Sequence, residues 1–270
     1  MKTQKSKFTH NYSQTNPLII DGSILEGGGQ ILRISISLAY LLKIPIKINN
    51  IRNKRDNPGL QKQHLTCTIF ITELYNSKNV SGLSLNSSEI FLEPTSLEIL
   101  GNTNEINCKL NSAGSIGLMI QEILPCLLFS KAENNNFKIH LTGGTLCKFS
   151  PSIYYLNDVL FKLLKKYMNI NVNCDLRKNG IYPMGCGSVI LNVEKLNYIN
   201  NINITNRGKF IGADIKFCYT NNFKFNIDKV CGAIYKNAKK IIRNEYINEN
   251  EENIFNESEI INQEIGRAHV

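Results

Sequence analysis

One arrangement recurs along this 270-residue chain. An apolar, strand-like run meets a turn of glycines or other small residues, and a helix-length apolar segment follows. The turns lie at Gly27–Gly29, Ala113–Gly117 and Gly143–Gly144. A strand that turns directly into a helix buries both apolar faces only if the helix folds back across the sheet. Recurrence of that step predicts an internally repeated α/β unit rather than one doubly wound sheet. Strands are expected in NPLIIDGS, IPIKINNIR, SSEIFLEP, INCKLN and FKIHLTGG, and helices in EGGGQILRISISLAYLLK, LTCTIFITELYN, SIGLMIQEILPCLLFS and IYYLNDVLFKLLKKY. On the first helix Ile31, Ile34, Leu38, Leu41 and Leu42 share the expected core face. This reading gives three passes of strand, turn and helix.

Residues 17–200 form the expected repeated body. The polar residues 1–16 before it read as a disordered leader. From about residue 200 the texture changes: strands near 209–218 and 223–227 lead to a basic helix, KVCGAIYKNAKKIIRNEY. Residues 201–263 are therefore read as part of a second, smaller α/β domain, cut short at the C-terminus. The final IGRAHV follows no structural logic and matches the translation of a sequencing adapter, so residues 264–270 are expected to be artefactual and the natural chain to continue.

Composition narrows the function. With 42% hydrophobic and 20% charged residues the chain is globular rather than disordered. No run reaches the ~18 apolar residues of a membrane span, and the polar N-terminal residues lack a secretory signal's apolar region. A protein that is not secreted and not in a membrane is expected. The eight cysteines show no CxxC spacing and read as small buried hydrophobes in a reducing compartment, not as a disulfide framework or a zinc site. Net charge is +9, and up to Arg243 the chain carries 30 Lys and Arg against 15 Asp and Glu. Such a body favours a polyanionic partner such as nucleic acid, nucleotide or phosphorylated substrate, although Lys, Ile and Asn enrichment also follows from an AT-rich genome.

Three segments carry chemistry. In Glu26-Gly27-Gly28-Gly29-Gln30 the glycines let backbone approach a ligand at a helix start, where N–H groups attract phosphate. Arg33 follows within reach of the same anion, and Glu26 suits a divalent cation bridging phosphates. A plain turn packed on a sheet needs the same glycines. The second segment sets Arg52, Lys54 and Arg55 before a Pro58-Gly59 turn and the adjacent Gln63 and His64, a combination of bidentate cations and neutral donors. A solvated basic loop is the alternative. The third, Ser112-Ala113-Gly114-Ser115 with Gln121 beyond it, suits an anion or close packing. GGT at 143–145 with Pro151, and YPMGCG at 182–187, read alone as turns. His140, in an apolar strand, is expected to be a satisfied core residue, and His64 is the histidine in a chemical setting.

These segments in this order resemble the RNA 3′-terminal phosphate cyclase family. The likeness runs through DGSILEGGGQILR, IRNKRDNPGLQKQHL, SAGSIGLMIQEILPCLLF, LTGGT with SP, GIYPMGCGSVIL and ITNRGKF, over roughly residues 18–245. The resemblance implies three or more repeated units, each a small sheet with two helices, and a smaller α/β domain inserted before the last. It implies an ATP-dependent ligase that turns an RNA 3′-phosphate into a 2′,3′-cyclic phosphate through an adenylylated histidine and an RNA(3′)pp(5′)A intermediate. RNA with a 3′-phosphate end and ATP are the implied partners, with Mg²⁺ or Mn²⁺. Residue by residue it implies Glu26 as metal ligand, Arg33, Arg52, Arg55, Gln63 and His64 on the terminal phosphate or triphosphate, and Gln121 and Pro151 at the adenosine. The implied compartment is the nucleoplasm in a eukaryote and otherwise the cytoplasm.

The chain departs from the family pattern at several positions. The nucleophilic histidine implied by the resemblance falls beyond the inserted domain and has no counterpart here, so this chain alone is expected to be inactive. Tyr154 and Leu146 stand where the family has Asp and Asn, and Cys186 interrupts its glycine run. A non-catalytic cyclase-like factor of ribosomal RNA processing is the competing reading. It lacks the EGGGQ run and the Gln-His pair that this chain has. An enolpyruvyl-transferase-type enzyme shares the repeated-unit architecture alone.

Overall fold

In the computed structural model the described residues are 12–95, 105–110, 112–131, 136–196, 202–206, 217 and 226–246. The chain divides into a body, Met1–Asn201, and a second part, Ile202–Val270.

The body contains one six-element pattern twice. The first copy runs β1 (Leu18–Asp21), α1 (Gly29–Leu42), β2 (Ile46–Asn49), α2 (Lys62–Leu74), β3 (Val80–Ser81) and β4 (Ile90–Leu92), with sheet order β1-β2-β4-β3. The second runs β5 (Glu105–Lys109), α3 (Ile116–Leu128), β6 (Asn136–Gly143), a composite helix, β7 (Val172–Lys178) and β8 (Gly187–Glu194), in the order β5-β6-β8-β7. The composite helix joins α4 (Ile153–Tyr155) through a π-helical stretch, Leu156–Leu160, to α5 (Phe161–Met168). In each sheet the first pair is parallel, as a helical crossover requires, and the other pairs are antiparallel. Each sheet therefore carries two helical segments, and mixed α/β structure built from a repeated small sheet is what the sequence predicted.

The count of passes is corrected. The second and third strand–turn–helix passes are the two halves of a single unit, because β5 and β6 are the parallel pair of one sheet. SSEIFLEP closes the first unit as β4 rather than opening the next. Strands β3, β7 and β8 were not expected.

The core is continuous across both units, with Ile46, Ile48, Ile71, Ile116, Ile139 and Leu191 among its least exposed members. Tyr75 on the end of α2 donates its hydroxyl to the Cys126 carbonyl of α3 at 2.9 Å. It also stacks at a tilt on Tyr40 of α1, with centroids 5.3 Å apart. Large amphipathic rings thus close the seam between units without leaving a buried hydroxyl unpaired.

On α1 the expected core face is not the buried one. Leu32, Ile36, Ala39 and Tyr40 are buried together with Arg33 and Ser37, whereas Ile34, Leu38 and Leu42 are exposed. The helix is apolar all round, so periodicity alone does not choose a side. His140 is also corrected: it lies half-buried on β6, bonded to Glu105 of β5, which also pairs with Lys138 at 3.0 Å. The described cysteines are all free, and Cys67, Cys108, Cys126, Cys174 and Cys231 are buried.

In the second part, α6 (Ile227–Tyr246) is the basic helix expected from the sequence. The strands expected near 209–218 and 223–227 lie outside the described residues, apart from Phe217 and the residues adjoining α6. So do residues 264–270 and most of the expected leader, of which residues 12–16 include a turn paired between Ser13 and Asn16.

Candidate functional site

The starts of α1, α2 and α3 converge. Each helix N-terminus presents unpaired N–H groups and the positive end of a dipole, so their convergence favours an anion before any side chain is counted.

Gly29 opens α1, and a Cβ placed there would collide with His64 Nε2 of α2 and approach Arg33 Nη1 to 3.0 Å. The missing side chain is therefore what lets the two helix starts close on each other. One residue earlier, a Cβ on Gly28 would lie 3.0 Å from Arg55 Nη2. Arg55 reaches across to Glu26, at 3.7 Å between exposed side chains. Its loop is folded on itself rather than loose. Arg55 N–H donates to the Arg52 carbonyl at 3.0 Å, Gly59 N–H to Ile51 at 2.8 Å, and Arg52 Nε to Asn57 at 3.3 Å. A hydrogen-bonded turn thus aims the cations at the glycine run.

Helix α3 is tied to α2 by Gln63, whose Oε1 accepts the Ser115 N–H at 2.9 Å, while the Ser115 hydroxyl caps α3 by accepting the Leu118 N–H. Gln121, one helical turn beyond Gly117, accepts Arg33 Nε at 3.0 Å. Gly117 has no room for a Cβ because the Pro151 carbonyl lies against it. Gln121 and Pro151 therefore meet the same face of α3. Beside Pro151 runs a groove of about 480 Å³, lined by Leu146, Cys147, Ser150, Pro151, Ser152 and Tyr155.

Seven of the eight residues singled out from sequence, Glu26, Arg33, Arg52, Arg55, Gln63, His64 and Gln121, gather around these helix starts. Pro151 borders them on the groove side. Tyr154 is turned to Asn179, whose side-chain amide donates to its hydroxyl at 3.2 Å.

The electrostatics are lopsided. Burial lowers Arg33's pKa, partly offset by the field of Glu122. Arg52 is lowered by burial and by neighbouring Arg55. His64 is pushed down to about 3, first by burial and then by Arg52 and Arg33. It is neutral at physiological pH, and its Nδ1 is buried with no hydrogen-bond partner. A neutral imidazole with an orphaned nitrogen among guanidinium groups fits an oxyanion. Among the described residues no three His, Cys, Asp or Glu side chains gather as a metal cluster. A cation here would be held by Glu26 together with phosphate oxygens, as Mg²⁺ commonly is.

One residue escaped the sequence reading. Glu122, beside Gln121, is completely buried and reaches Thr68 of α2. The available signal was a carboxylate in the apolar run IGLMIQEILPCLL.

A family model described as RNA 3′-terminal phosphate cyclase matches residues 24–254. The chain is 36% identical over 228 residues to a probable RNA 3′-terminal phosphate cyclase of Dictyostelium discoideum, covering 84% of this chain and 51% of that protein. It is 38% identical over 199 residues to the RNA 3′-terminal phosphate cyclase of Desulfurococcus amylolyticus, covering 73% and 53%. Against that of Staphylothermus marinus it is 39% identical over 193 residues, covering 71% and 52%. The chain spans about half the length of these curated relatives.

Proposed function

Because the chain belongs to the RNA 3′-terminal phosphate cyclase family, we propose that the full-length protein is an ATP-dependent ligase that closes an RNA 3′-phosphate into a 2′,3′-cyclic phosphate. A histidine nitrogen would attack the α-phosphorus of ATP and expel pyrophosphate. The RNA 3′-phosphate oxygen would then take AMP from the histidine. Finally the adjacent 2′-oxygen would lose its proton, attack the 3′-phosphorus and expel AMP. Each step passes through a phosphorus centre with added negative charge, so preorganised cations and N–H donors lower its barrier.

The observation that carries this reading is the meeting of three helix starts around Arg33, Arg52, Arg55 and a neutral His64. In this reading the guanidinium groups and Gln63 hold phosphate oxygens, and His64 contributes a neutral hydrogen bond. Gln121 and Pro151, on one face of α3, border the adenosine. A divalent cation bound at Glu26 would neutralise phosphate charge.

The test is to incubate the full-length protein with ATP and an RNA ending in a 3′-phosphate. The expected product is an end that resists phosphatase until acid opens the cyclic ester. Unchanged 3′-phosphate under conditions that support ATP binding would overturn the reading.

A further inference from the structure

Among the described residues the three most exposed large apolar side chains are Phe149, Leu25 and Tyr182, at 91%, 86% and 82%. All three sit on loops that border the converging helix starts. Leu25 precedes Glu26 in the turn from β1 to α1, Phe149 lies between β6 and α4, and Tyr182 lies between β7 and β8. Phe149 and Leu25 also hold left-handed backbone, with φ of 59° and 55°, which a bulky side chain adopts only where its surroundings impose it. One exposed leucine is ordinary. Two rings this exposed on adjoining loops leave π surface that the chain itself does not use.

The two ring-bearing loops are pinned to each other and to the phosphate site. Thr145 N–H donates to the Gly180 carbonyl at 2.8 Å, and Leu146 pairs with Ile181 in an isolated bridge. Both loops rest on the turn before α3. The Cys147 thiol donates to the Ala113 carbonyl at 3.2 Å, and a Cβ on Gly185 would lie 2.6 Å from the Ser112 carbonyl oxygen. That turn runs into Ser115, whose N–H is accepted by Gln63 of α2. Direct contacts therefore lead from the rings' loops to the helix starts that carry the guanidinium groups. The rings stay outside the groove beside Pro151. Cys147 and Ser150 line it, but neither Phe149 between them nor Tyr182 does.

We propose that Phe149 and Tyr182 are the stacking platform for the last bases of a single-stranded RNA whose 3′-phosphate lies among Arg33, Arg52 and Arg55. This rests on the phosphate-binding reading of those arginines. A ligand that uses both features needs an anion for the helix starts and flat π faces for the rings, and the 3′-terminal nucleotides of an RNA supply the two together. Stacking on aromatic side chains tolerates any sequence, because every base has a π face. A duplex end offers only one face of its last pair, so the bases must be unpaired to reach rings on two loops. ATP also joins phosphates to a base, but in that reading its one base takes the Pro151 groove. An apolar protein partner would need a contiguous patch without charge, whereas Lys148 and Ser150 flank Phe149.

The experiment is a binding titration of the 270-residue chain with a short single-stranded RNA that ends in a 3′-phosphate and carries 2-aminopurine at its last or penultimate position. The chain contains no tryptophan, so the fluorescence of that base reports stacking directly. We expect quenching on binding. Affinity should fall about tenfold when the last two nucleotides are abasic, and by a similar factor when they are paired to a complementary strand. Phe149→Ala and Tyr182→Ala should each weaken the RNA about tenfold and leave competition by inorganic phosphate unchanged. Phe149→Tyr should recover binding and Phe149→Leu should not. Equal affinity for abasic and intact RNA, or for Phe149→Leu and the unchanged chain, overturns the proposal and leaves phosphate binding intact. The abasic comparison needs no variant, so it decides even where a variant does not fold. Ring variants that lose ATP and keep RNA assign the rings to adenine, and a dimer that the same variants dissolve assigns them to a second copy. Either result overturns the proposal. RNA that binds equally with a 3′-hydroxyl and a 3′-phosphate overturns the phosphate reading and the proposal with it.

Discussion

The two units of the body share one topology and differ in what their turns hold. In the first, the β1–α1 turn carries Glu26 and the glycine run, and the segment between β2 and α2 carries Arg52, Lys54 and Arg55. In the second, the corresponding segments hold Ser112–Ser115 and Thr145–Ser152, where small and neutral residues dominate and Lys148 is the cation. The helices repeat, and the turns at their starts do not. The same scaffold thus presents helix N-termini twice, once dressed for charge and once for close packing. Between the units, the buried Arg33 of the first donates through Nε to Gln121 of the second at 3.0 Å, beside the fully buried Glu122.

That relation is the first place to break the comparison, and there the expected effect is largest. His64 and Glu122 are both buried in the form without charge, but they couple to pH with opposite sign. For His64, held down at about 3, the unfolded chain binds the extra proton between about pH 3 and 6.5, so stability rises with pH through that window. For Glu122, pushed up to about 8, the folded chain keeps the proton from about pH 4.5 to 8, so stability falls as pH rises there. Each slope approaches about 1.4 kcal/mol per pH unit. Between pH 4.5 and 6.5 they oppose each other. Denaturant unfolding across pH should show a plateau in that interval, with losses on both sides. Glu122→Gln should remove the alkaline loss alone, and His64→Gln the acid loss alone. An alkaline loss unchanged in Glu122→Gln would mean that the loss arises elsewhere than at Glu122.

A smaller effect separates the two turns by activity. Arg55→Ala should lower cyclisation by the full-length protein by about 2–4 kcal/mol of transition-state stabilisation, a hundredfold or so. Its exposed side chain makes one long ion pair, so stability should change by about 0.5 kcal/mol or less. Lys148→Ala, at the counterpart segment of the second unit, should leave turnover within about twofold, because Lys148 lies over the Phe149 ring, 5.1 Å from its centroid. Equal losses from both substitutions would erase the distinction drawn between the turns. A large fall in melting temperature with unchanged turnover for Arg55→Ala would make that arginine architectural.

How far the sequence reveals this arrangement depends on which physical signal each part leaves. Glycine before an apolar helix is a strong signal, and it located the starts of α1 and α3. The charged loop and the Gln63–His64 pair were legible because cations beside a Pro-Gly turn have few structural uses. The hairpin of β7 and β8 leaves a weaker signal: residues 182–187 mark a turn, but the apolar strand GSVILNVE has no alternation to mark it. The buried side of α1 is hidden in the sequence for the opposite reason, since Ile34 and Leu38 are as apolar as Leu32 and Ile36. Glu122 leaves one signal, a carboxylate in an apolar run, which does not say whether it or Gln121 faces the interior. Adjacent residues point about 100° apart on a helix, and only the packing of α1 and α2 against α3 shows which of the two turns inward.

The smallest effect concerns Glu26, and it asks whether the charged turn of the first unit includes a metal ligand. Its carboxylate stands before the glycine run, 3.7 Å from Arg55 and largely exposed. Beside ATP phosphates with no cation between them, it would repel them. With Mg²⁺ or Mn²⁺ between, it becomes one ligand among phosphate oxygens, and the α1 N-terminus shares the remaining charge. A carboxylate near a helix start is also worth about 0.3–1 kcal/mol through the dipole alone, and an exposed ion pair with Arg55 adds at most about 1 kcal/mol. Glu26→Gln separates these roles, because the amide keeps the size and the acceptor oxygen but loses the charge. If Glu26 is a ligand, Glu26→Ala should raise the metal concentration needed for self-adenylylation of the full-length protein several-fold, and Glu26→Gln should recover little of it. Wild-type metal dependence in both variants, with a slightly lower melting temperature, would reduce Glu26 to a helix-end charge. The first unit would then differ from the second by its arginines alone.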